Sequence, residues 1–415
     1  MRLTIPFGSW YEPGHLDMEF PATWNVTLLR MAGAAEITAR AAIEEAINNP
    51  VGTRTINEIA RGKPNAVIAI DDISRSTRLE GILDVVLKEL NGAGIADDHV
   101  TIIAALGAHR PMTRQDFAKK VGMSILNRVN VVNHSPFLNL VKVGVSKLGT
   151  PVLVNKTYLE ASVKIAVGGV IPHFLAGYSG GAKIVLPGLC GFETLEVNHR
   201  VALKSGAGLG LGIITELRKD IEDACAMAGL DFSINVVANE EGRNAGIFAG
   251  HYIEAHRKAI EFSKGVYKTD IPKGIRYNVG FFNAFPEDTE LNQCMKALNL
   301  FMLNNAIIDR KGAVVIMTAA SEGRGYHALL AEDGSPLPIK DSFAMAGSFM
   351  GRRKFCLFSP NVTAADVHQF FPGTVLFKNT FARLIEELEQ IVGKTPSACI
   401  FQNSMQLPTI DLQNI

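Results

Sequence analysis

The sequence has no excess of charge of either sign. Its 41 lysine and arginine residues balance 41 aspartate and glutamate residues, so the formal net charge at pH 7 is zero. Binding to nucleic acid or to an anionic membrane surface depends on a surplus of positive charge. The balance argues against both kinds of partner and favours a small-molecule ligand.

The sequence is also poor in cysteine and in long apolar runs. Its five cysteines are widely separated and never form a Cys-x-x-Cys pair, which argues against a disulfide framework and against a zinc site made of cysteines. The start of the chain contains Arg2 but no apolar signal-peptide core, and glycine or charge interrupts every apolar run before it reaches the length of a membrane span. We therefore expect a cytoplasmic protein without a secretion signal or membrane segment.

The sequence does contain a regular alternation of strand and helix patterns. Hydrophobic residues make up 47% of its 415 residues, which is enough to fill the cores of several domains. Short apolar runs over residues 65–72, 99–107, 163–170 and 234–238 are followed by apolar residues at helical spacing. Thr113 is the predicted N-cap of the helix after the second run. The alternation predicts an α/β fold with mostly parallel sheets.

A second set of the same patterns follows a polar segment. Residues 264–274 are rich in lysine and end in glycine, which is typical of a link between domains. After it, strands are predicted over 276–282, 313–318, 355–358 and 374–377, and helices over 287–303, 341–350 and 381–392. We therefore predict two α/β domains, 1–265 and 275–402, with an interdomain cleft, and a tail, 403–415, that packs on the first domain or frays.

Polar residues directly follow several of the predicted strands. Asp71, Asp72 and Arg75 come after the first strand, and His109 comes after the second. Ligands of open α/β sheets bind at the carboxyl ends of the strands, so these side chains are candidates for one site. An arginine held by a carboxylate can bind a substrate carboxylate, and a histidine can transfer protons. The alternative is structural, with a helix-capping aspartate, Arg75 at the surface and an internally satisfied histidine.

The glycine-rich segment, residues 171–199, follows the third strand and has the most specific pattern. It contains His173, Lys183 and His199. The turn before the lysine consists of Ser179, Gly180 and Gly181. The N–H groups of that turn are predicted to converge on an anion, and the imidazoles could transfer protons or bind a metal. Lys183 would be a nucleophile if its amine is desolvated and a solvated cation otherwise, and either histidine could be structural.

Three loops only partly match known nucleotide-binding loops. Ala182 stands where a Walker loop needs its final glycine, and Ile184 stands where it needs a hydroxyl for magnesium. Residues 206–212 have glycine at alternating positions, yet they follow a helix pattern instead of the strand that a dinucleotide-binding turn requires. The loop 321–325 follows a strand and is a further candidate to face the cleft. A nucleotide hydrolase is therefore excluded.

Together these motifs resemble those of the nickel-pincer lactate racemase family. The hallmarks of that family are Asp-Asp-x-Thr-Arg-Pro, Gly-x-His-Arg, and Pro-His-Phe-x-x-Gly-x-Ser-Gly-Gly-x-Lys followed by Asn-His. The corresponding stretches here are 71–76, 107–110, 172–183 and 198–199. A Gln-x-x-Lys pair on a predicted helix, Gln293 and Lys296, matches a further element. The matches keep the family's order over most of the chain.

The resemblance implies a covalently attached cofactor and a role for each matched residue. The cofactor would be a nickel-bound pyridinium-3-thioamide-5-thiocarboxylic acid mononucleotide, the nickel-pincer nucleotide, tethered through Lys183. His199 would bind the nickel, and two sulfurs and a ring carbon of the cofactor would complete the plane. His109 and His173 would be the acid/base pair. The turn that would contact the cofactor is Ser179, Gly180 and Gly181. The residues that would orient the substrate are Asp72, Arg75, Asn292, Gln293 and Lys296.

The activity implied by the resemblance is inversion of C2 in a 2-hydroxy acid. The α-proton of such an acid is weakly acidic, so passing a hydride to the pyridinium ring avoids a carbanion. One histidine would take the hydroxyl proton, and the other would supply a proton when the hydride returns to the opposite face. The implied partners are a small 2-hydroxy acid and the proteins that synthesise the cofactor.

The departures from the family pattern lie on the substrate side. Ser76 replaces the proline of the first motif, and Asn292 stands where lactate-specific members have an aromatic residue. A smaller and more polar wall indicates a substrate more hydrophilic than lactate, such as a sugar acid or a hydroxydicarboxylate, with Arg78 as a second anionic contact.

Two other functional classes stay open. One is an aldolase or dehydratase that forms a Schiff base through Lys183, and the other is a non-catalytic protein that binds a hydroxy acid or nucleotide.

Overall fold

The computed structural model describes residues 1–173, 175–204, 215–330, 349–371 and 375–408. The α-helices of this part of the chain are α1 (Arg40–Asn48), α2 (Ile56–Ala60), α3 (Ile82–Gly92), α4 (Arg114–Val121), α5 (Met123–Leu126), α6 (Lys156–Glu160), α7 (Phe192–Lys204), α8 (Glu216–Ala228), α9 (Glu254–Tyr267), α10 (Met295–Asn304), α11 (Ala364–Phe370) and α12 (Phe381–Val392). None of them is long and apolar enough to cross a bilayer.

The strands of the same residues are short and are spread along the whole chain. In chain order they are β1 (Arg2–Phe7), β2 (Gly14–Glu19), β3 (Asn25–Leu29), β4 (Ala66–Ile70), β5 (Val100–Ala104), β6 (Asn130–Asn133), β7 (Leu140–Val145), β8 (Pro151–Asn155), β9 (Val163–Gly169), β10 (Pro172–His173), β11 (Gly177–Tyr178), β12 (Phe232–Ala238), β13 (Asn244–Gly250), β14 (Lys268–Thr269), β15 (Tyr277–Asn283), β16 (Ile308–Met317), β17 (Lys354–Phe358), β18 (Leu376–Lys378), β19 (Ser397–Phe401) and β20 (Leu407–Pro408).

The chain divides into two compact units. The central unit consists of residues 34–266, and the terminal unit combines Met1–Gly33 with Tyr267–Ile415. The change from one unit to the other at Val266 and Tyr267 lies inside the predicted link, 264–274. That segment is not an open linker, however, because α9 continues through its first residues to Tyr267 and β14 follows directly.

The central unit is built on a six-stranded sheet with the order β13-β12-β9-β4-β5-β6. All neighbouring pairs are parallel except β12 and β13. All residues of β4 are buried, as expected for an apolar strand covered by helices on both faces. Thr113 caps α4 in a reciprocal arrangement with Asp116, which confirms the predicted helix start. The carboxyl ends of β4, β5 and β9 lie side by side, and the candidate residues follow them.

The terminal unit is built on a second six-stranded sheet, with the order β18-β17-β16-β15-β19-β3. Every neighbouring pair is parallel. The predicted α/β class with mostly parallel sheets is therefore confirmed. Helix α12 has the predicted bounds, residues 381–392, whereas the helix predicted over 287–303 begins later, with a 3-10 helix at Leu291–Cys294 that leads into α10.

The first 33 residues correct the predicted domain boundary, which assigned them to the first domain. Strand β3 pairs with β19, so Asn25 lies opposite Ser397. The apolar side chains of this segment, Ile5, Phe7, Met18, Phe20 and Trp24, are buried in one cluster with side chains of the terminal unit's sheet. Burial of that much apolar surface favours docking of the segment on this sheet. Sequence neighbourhood alone gave the wrong assignment.

The predicted tail also packs differently from the expectation. Residues 407–408 form β20, which pairs with β14 of the terminal unit. The Gln406 amide donates to the Leu29 carbonyl at 3.0 Å and to Thr269 Oγ1 at 3.1 Å. This part of the tail therefore packs on the terminal unit, not on the domain that was predicted to receive it. Residues 409–415, the predicted turn 206–212, residues 341–348 of a predicted helix and position 374 of a predicted strand lie outside the described residues.

Candidate functional site

Asp72, Arg75 and His109 form one hydrogen-bonded cluster in the central unit. His109 follows β5, and the other two follow the parallel neighbour β4. Asp72 Oδ2 lies 3.0 Å from His109 Nδ1, and Arg75 Nη2 lies 3.3 Å from His109 Nε2. Ser74 Oγ is also 3.1 Å from His109 Nδ1. The sheet thus brings together three residues that sequence spacing only suggested, and it adds Ser74, which sequence reasoning missed.

The surroundings of His109 favour one tautomer. Burial alone would raise the pKa of the Asp72 carboxyl, but its contact with His109 and the charge of Arg75 hold that pKa well below its ordinary value. The carboxylate can only accept, so the Nδ1–H of the imidazole donates to it. Arg75 donates toward Nε2. His109 is therefore arranged as a base at Nε2, the pattern by which a carboxylate orients a catalytic histidine.

Neither aspartate caps the following helix, which was the structural alternative for this pair. Asp72 Oδ1 accepts the Ser74 N–H at 2.8 Å in a local turn, and α3 begins later, at Ile82. Asp71 instead forms an ion pair with buried Lys120 at 2.7 Å and accepts from Thr77 Oγ1 at 2.5 Å. Asp71 therefore fixes the loop in which Asp72 is presented. No local pattern in the sequence indicates the role of Lys120.

His173 lies on the short hairpin of β10 and β11 and has the opposite tautomer. Its Nδ1 accepts the backbone N–H groups of Leu175 and Ala176, each at 3.2 Å. Because Nδ1 accepts, the neutral ring bears its proton on Nε2. His173 is therefore a hydrogen-bond donor at Nε2, whereas His109 is a hydrogen-bond acceptor at Nε2. The two predicted acid/base residues thus have opposite tautomers.

The turn Ser179–Gly181 does not form the predicted anion-binding nest. The Ser179 N–H donates to the Ile171 carbonyl at 2.9 Å, and the Gly181 N–H donates to Asn235 Oδ1 at 2.8 Å. Ser179 Oγ donates to the Gly169 carbonyl at 2.6 Å. These donors are already used inside the protein, so they do not converge on an anion. The turn is better described as a rigid mount for the lysine that follows.

Two buried side chains that sequence reasoning missed donate hydrogen bonds to the backbone carbonyls of this turn and of the residues before it. Arg218, which is 1% exposed, donates to the carbonyls of Ala176, Tyr178 and Gly180. His256 Nε2 donates to the Ser179 carbonyl at 2.7 Å. Both residues lie on helices far along the chain, α8 and α9, where nothing in their local sequence distinguishes them from solvent-facing residues.

The glycine at position 181 is required by the same packing. Its φ of +57° lies in the left-handed region, and a Cβ there would be 2.9 Å from His256 Cγ and 3.0 Å from the Tyr252 carbonyl oxygen. Any larger residue would push the turn away from α9.

Lys183 and His199 are close enough to influence each other electrostatically. Lys183 lies on the 3-10 helix Gly181–Ile184, where burial, followed by the charges of Arg218 and Arg75, holds its pKa well below the ordinary value. Burial lowers the pKa of His199 to about 4, with a further contribution from Lys183. His199 Nδ1 lies 2.7 Å from the Leu195 carbonyl oxygen one turn earlier in α7. At neutral pH His199 is therefore uncharged, with the lone pair on Nε2, and burial disfavours the charged form of Lys183.

The remaining predicted residues lie in the terminal unit, on an acidic turn that we define as residues 287–293. Lys296, in the first turn of α10, is ion-paired with Glu287. Asn292 and Gln293 are 6% and 7% exposed. The loop 321–325 packs on this turn, since the Leu291 N–H donates to the Gly323 carbonyl at 2.9 Å.

Metal-binding side chains are not clustered in the described residues. No group of three or more histidine, cysteine, aspartate or glutamate side chains there is placed to hold a metal ion. All five cysteines are buried and unpaired.

Comparisons with known proteins point to one family. The sequence profile of the lactate racemase N-terminal domain matches residues 11–210. The lactate racemase of Lactiplantibacillus plantarum is 30% identical over 317 residues, which are 74% of this chain and 73% of that protein. The lactate racemase of Thermoanaerobacterium thermosaccharolyticum is 28% identical over 287 residues, which are 68% of this chain and 66% of that protein.

Solved structures show the same fold. The lactate racemase apoprotein from Thermoanaerobacterium thermosaccharolyticum superposes with a TM-score of 0.75 at 22% identity, covering 99% of this chain and 100% of that chain. A crystal structure of a Thermotoga maritima protein superposes with a TM-score of 0.66 at 16% identity, covering 90% of this chain and 99% of that chain.

Proposed function

Because the chain belongs to the lactate racemase family, we propose that it inverts C2 of a 2-hydroxy acid by reversible hydride transfer to a nickel-pincer nucleotide tethered to Lys183. The chain is an isomerase of the racemase class. The single observation that most supports the mechanism is that Lys183 and His199 are both buried, so that the charged form of each is disfavoured. An uncharged amine can form a covalent bond, and an uncharged imidazole can bind a metal.

The residues present fit the proposed cofactor. His199 donates Nδ1–H to a backbone carbonyl, which is how metal-binding histidines are commonly oriented, and so presents Nε2 to a metal. His199 would supply one donor to nickel, and the cofactor would supply the others. When bound, the cofactor supplies a hydride acceptor at its pyridinium ring, so that C2 becomes planar without a carbanion. The rigid Ser179–Gly181 turn would keep the Lys183 amine in place for attachment.

The two histidines would handle the hydroxyl proton. His109 Nε2, with its Nδ1–H bonded to Asp72, would accept the proton of the C2 hydroxyl as the planar keto acid forms. His173 would hydrogen-bond the same oxygen from the other side through its Nε2–H. To protonate that oxygen when the opposite enantiomer forms, His173 must first become imidazolium, and on giving up the Nε2 proton it becomes the neutral base that the reverse direction needs. The reverse direction exchanges the roles, which is why a racemase needs both residues.

The substrate carboxylate would be held by cationic and amide groups. Arg75 lies beside His109 and has a guanidinium that can bind a carboxylate in bidentate fashion. We propose the same orienting task for Gln293 and Lys296, with Asp72 supporting Arg75. The polar Asn292 in place of an aromatic residue favours a substrate more hydrophilic than lactate. Loading of the cofactor would depend on separate cofactor-synthesis proteins.

The proposal is tested on protein from a host that makes the cofactor. We expect the intact mass to show an adduct on Lys183, one bound nickel, and interconversion of pure enantiomers or epimers of 2-hydroxy acids by chiral chromatography. Lys183→Met should lose the adduct and all turnover, whereas Lys142→Met, at an exposed position, should keep both. Unmodified Lys183 without nickel in such a host would contradict the proposed mechanism.

A buried Lys183, whose pKa is held well below its ordinary value, also suits the Schiff-base alternative, an aldolase or dehydratase of keto acids. Borohydride reduction in the presence of substrate distinguishes the two. A mass increase equal to substrate plus two hydrogens minus water on Lys183 would favour the Schiff base, and its absence from an active enzyme would exclude it.

A further inference from the structure

The side-chain amide of Asn292 is buried without a hydrogen-bond partner. The residue is 6% exposed, and neither its Nδ2 nor its Oδ1 has a partner in the structure. A buried amide without partners costs free energy, because it has lost water and gained nothing in return. Such groups in folded proteins call for an explanation, and a ligand that completes their hydrogen bonds is one.

The backbone of Gly325 packs directly against Asn292 and Glu290. Its φ of +77° lies in the left-handed region. A Cβ at that position would be 2.8 Å from Asn292 Nδ2 and 2.5 Å from Glu290 Cβ, so both side chains lie against this backbone. Any other residue at 325 would displace them.

The charges named around Asn292 are balanced. Glu287 and Glu290 are 2% and 3% exposed. Lys296 is ion-paired with Glu287, and Arg324 Nη1 donates to the neutral amide of Gln369. The sign of the local charge therefore does not select the ligand group, and hydrogen-bonding capacity does.

The hydrogen-bonding capacity of the amide selects among neutral and charged ligands. Asn292 has a donor and an acceptor to satisfy, and a hydroxyl group can accept from Nδ2 and donate to Oδ1 or to a glutamate. A carboxylate only accepts, so it would leave Oδ1 unpaired. A methyl group, as in lactate, would satisfy neither atom. Arg78, the expected second anionic contact, uses its Nε to donate to the Gly242 carbonyl at 3.3 Å.

We infer that the substrate is a polyhydroxy monocarboxylic acid and that Asn292 and Glu290 bind one of its hydroxyl groups beyond C2. This inference rests on the proposed function, since it names the class of 2-hydroxy acid that is inverted. It separates the sugar acid from the hydroxydicarboxylate, which the sequence left as equal alternatives.

The experiment compares C2 inversion of gluconate, malate and lactate by cofactor-loaded enzyme. We expect kcat/KM to be highest for gluconate. In Asn292→Leu, kcat/KM for gluconate should fall about tenfold or more, as expected for loss of a buried hydrogen bond. Lactate lacks the additional hydroxyls, so its kcat/KM should fall less than that of gluconate. The nickel content and the mass of the Lys183 adduct, measured for each variant, control for folding and cofactor loading. Gly325→Ala should have the same selective effect, because its methyl group would displace the Asn292 and Glu290 side chains.

Three outcomes would overturn the inference. A preference for malate or lactate over gluconate would reject the substrate class while leaving the racemase proposal intact. An equal loss for gluconate and lactate in Asn292→Leu would show that Asn292 only supports the fold. No inversion of any of the three acids by an enzyme with nickel and the Lys183 adduct would reject the proposed function and this inference with it.

Discussion

The glycine-rich segment of the central unit and the acidic turn of the terminal unit are both buried and polar, but they differ in how their polar groups are satisfied. Arg218, Asn235 and His256 supply partners for the backbone of the Ser179–Gly181 turn. On the acidic turn, buried side-chain atoms of Asp288, Thr289 and Asn292 have no hydrogen-bond partner. The Ser179–Gly181 turn therefore has hydrogen-bond partners within the protein, whereas the acidic turn has buried polar atoms without them.

This difference fits two kinds of task. A group that stays attached to the protein needs a mount that is rigid at all times, and fully satisfied polar networks provide rigidity. A substrate comes and goes, and a site that discriminates between substrates has polar groups that only the correct one satisfies. In the protein without substrate, these buried polar groups lack partners and lower the free energy of unfolding. We therefore expect mutations to affect the two regions in opposite ways.

The largest effect should come from removing the arginine beneath the glycine-rich segment. Arg218→Met would leave the carbonyls of Ala176, Tyr178 and Gly180 buried without this donor. Each unsatisfied buried group costs about 1–3 kcal/mol, so we expect the free energy of unfolding to fall by about 3 kcal/mol or more. Urea denaturation monitored by circular dichroism measures this loss.

The matched control is the next residue of the same helix. Lys219 is exposed and pairs only with Glu216 at the surface, so Lys219→Met should change the free energy of unfolding by less than about 0.5 kcal/mol. Similar values for the two variants would show that the turn is not held by Arg218.

A smaller effect, of opposite sign in the two regions, should follow when asparagine is replaced by leucine of similar size. Asn292→Leu removes an amide without partners, so the free energy of unfolding of the cofactor-free protein should rise by about 1 kcal/mol. Asn235 accepts from Gly181 N–H and donates to Ser233 Oγ. Asn235→Leu should therefore lower the free energy of unfolding by about 2 kcal/mol.

Calorimetry of the two variants beside wild type measures both signs in one experiment. The contrast between the regions is lost if Asn292→Leu destabilises as much as Asn235→Leu, since Asn292 would then have partners in the free protein. If Asn292→Leu raises the free energy of unfolding and also lowers activity on gluconate, then Asn292 lowers stability in the wild type while it supports function.

The smallest effect should be the pH dependence of stability. Burial, together with the Arg218 charge, holds the pKa of His256 well below its ordinary value, so the unfolded chain binds a proton that the folded protein does not. The contribution of neutral His256 to the free energy of unfolding is fully present above about pH 6.5 and is lost as the pH falls. Burial raises the pKa of Asp288 to about 7, so its stabilisation is complete below about pH 4 and is lost as the pH rises through 7.

The two regions should therefore respond to pH with opposite signs. Between pH 6 and 7 each contribution is about 1 kcal/mol or less. Urea unfolding at pH 5, 6 and 7 measures the free energy of unfolding of each protein. From pH 7 to pH 5 this free energy should fall less in His256→Gln than in wild type, and from pH 5 to pH 7 it should fall less in Asp288→Asn. The same pH dependence of the free energy of unfolding in wild type and both variants would contradict the assignment.

Much of the fold could be predicted because its signals are local. The apolar run of β4, the threonine cap of α4 and the periodicity of α12 each depend on residues adjacent in sequence. The first 33 residues could not be assigned in this way, since β3 pairs with β19 more than 300 residues later. The pairing depends on where buried apolar surface is available, and that is a property of the assembled sheet.

The candidate site divides along the same line. Residue types and their spacing indicated His109, His173, Lys183 and His199, because reactive side chains at the carboxyl ends of strands form a pattern that is visible in the chain itself. The sequence could not distinguish the tautomers of the two acid/base histidines. Those follow from Asp72 at one imidazole and two backbone N–H groups at the other.

The sequence by itself determined the α/β class and the family and predicted which residues react, because these depend on local periodicity and on short motifs. Only the tertiary structure decided that Ser179–Gly181 is a mount instead of an anion site, since its N–H groups meet distant acceptors such as Asn235. Only the tertiary structure showed that the amide of Asn292 is buried without a partner. Charge state and hydrogen-bond satisfaction depend on which groups meet in space, and that is decided when the chain folds.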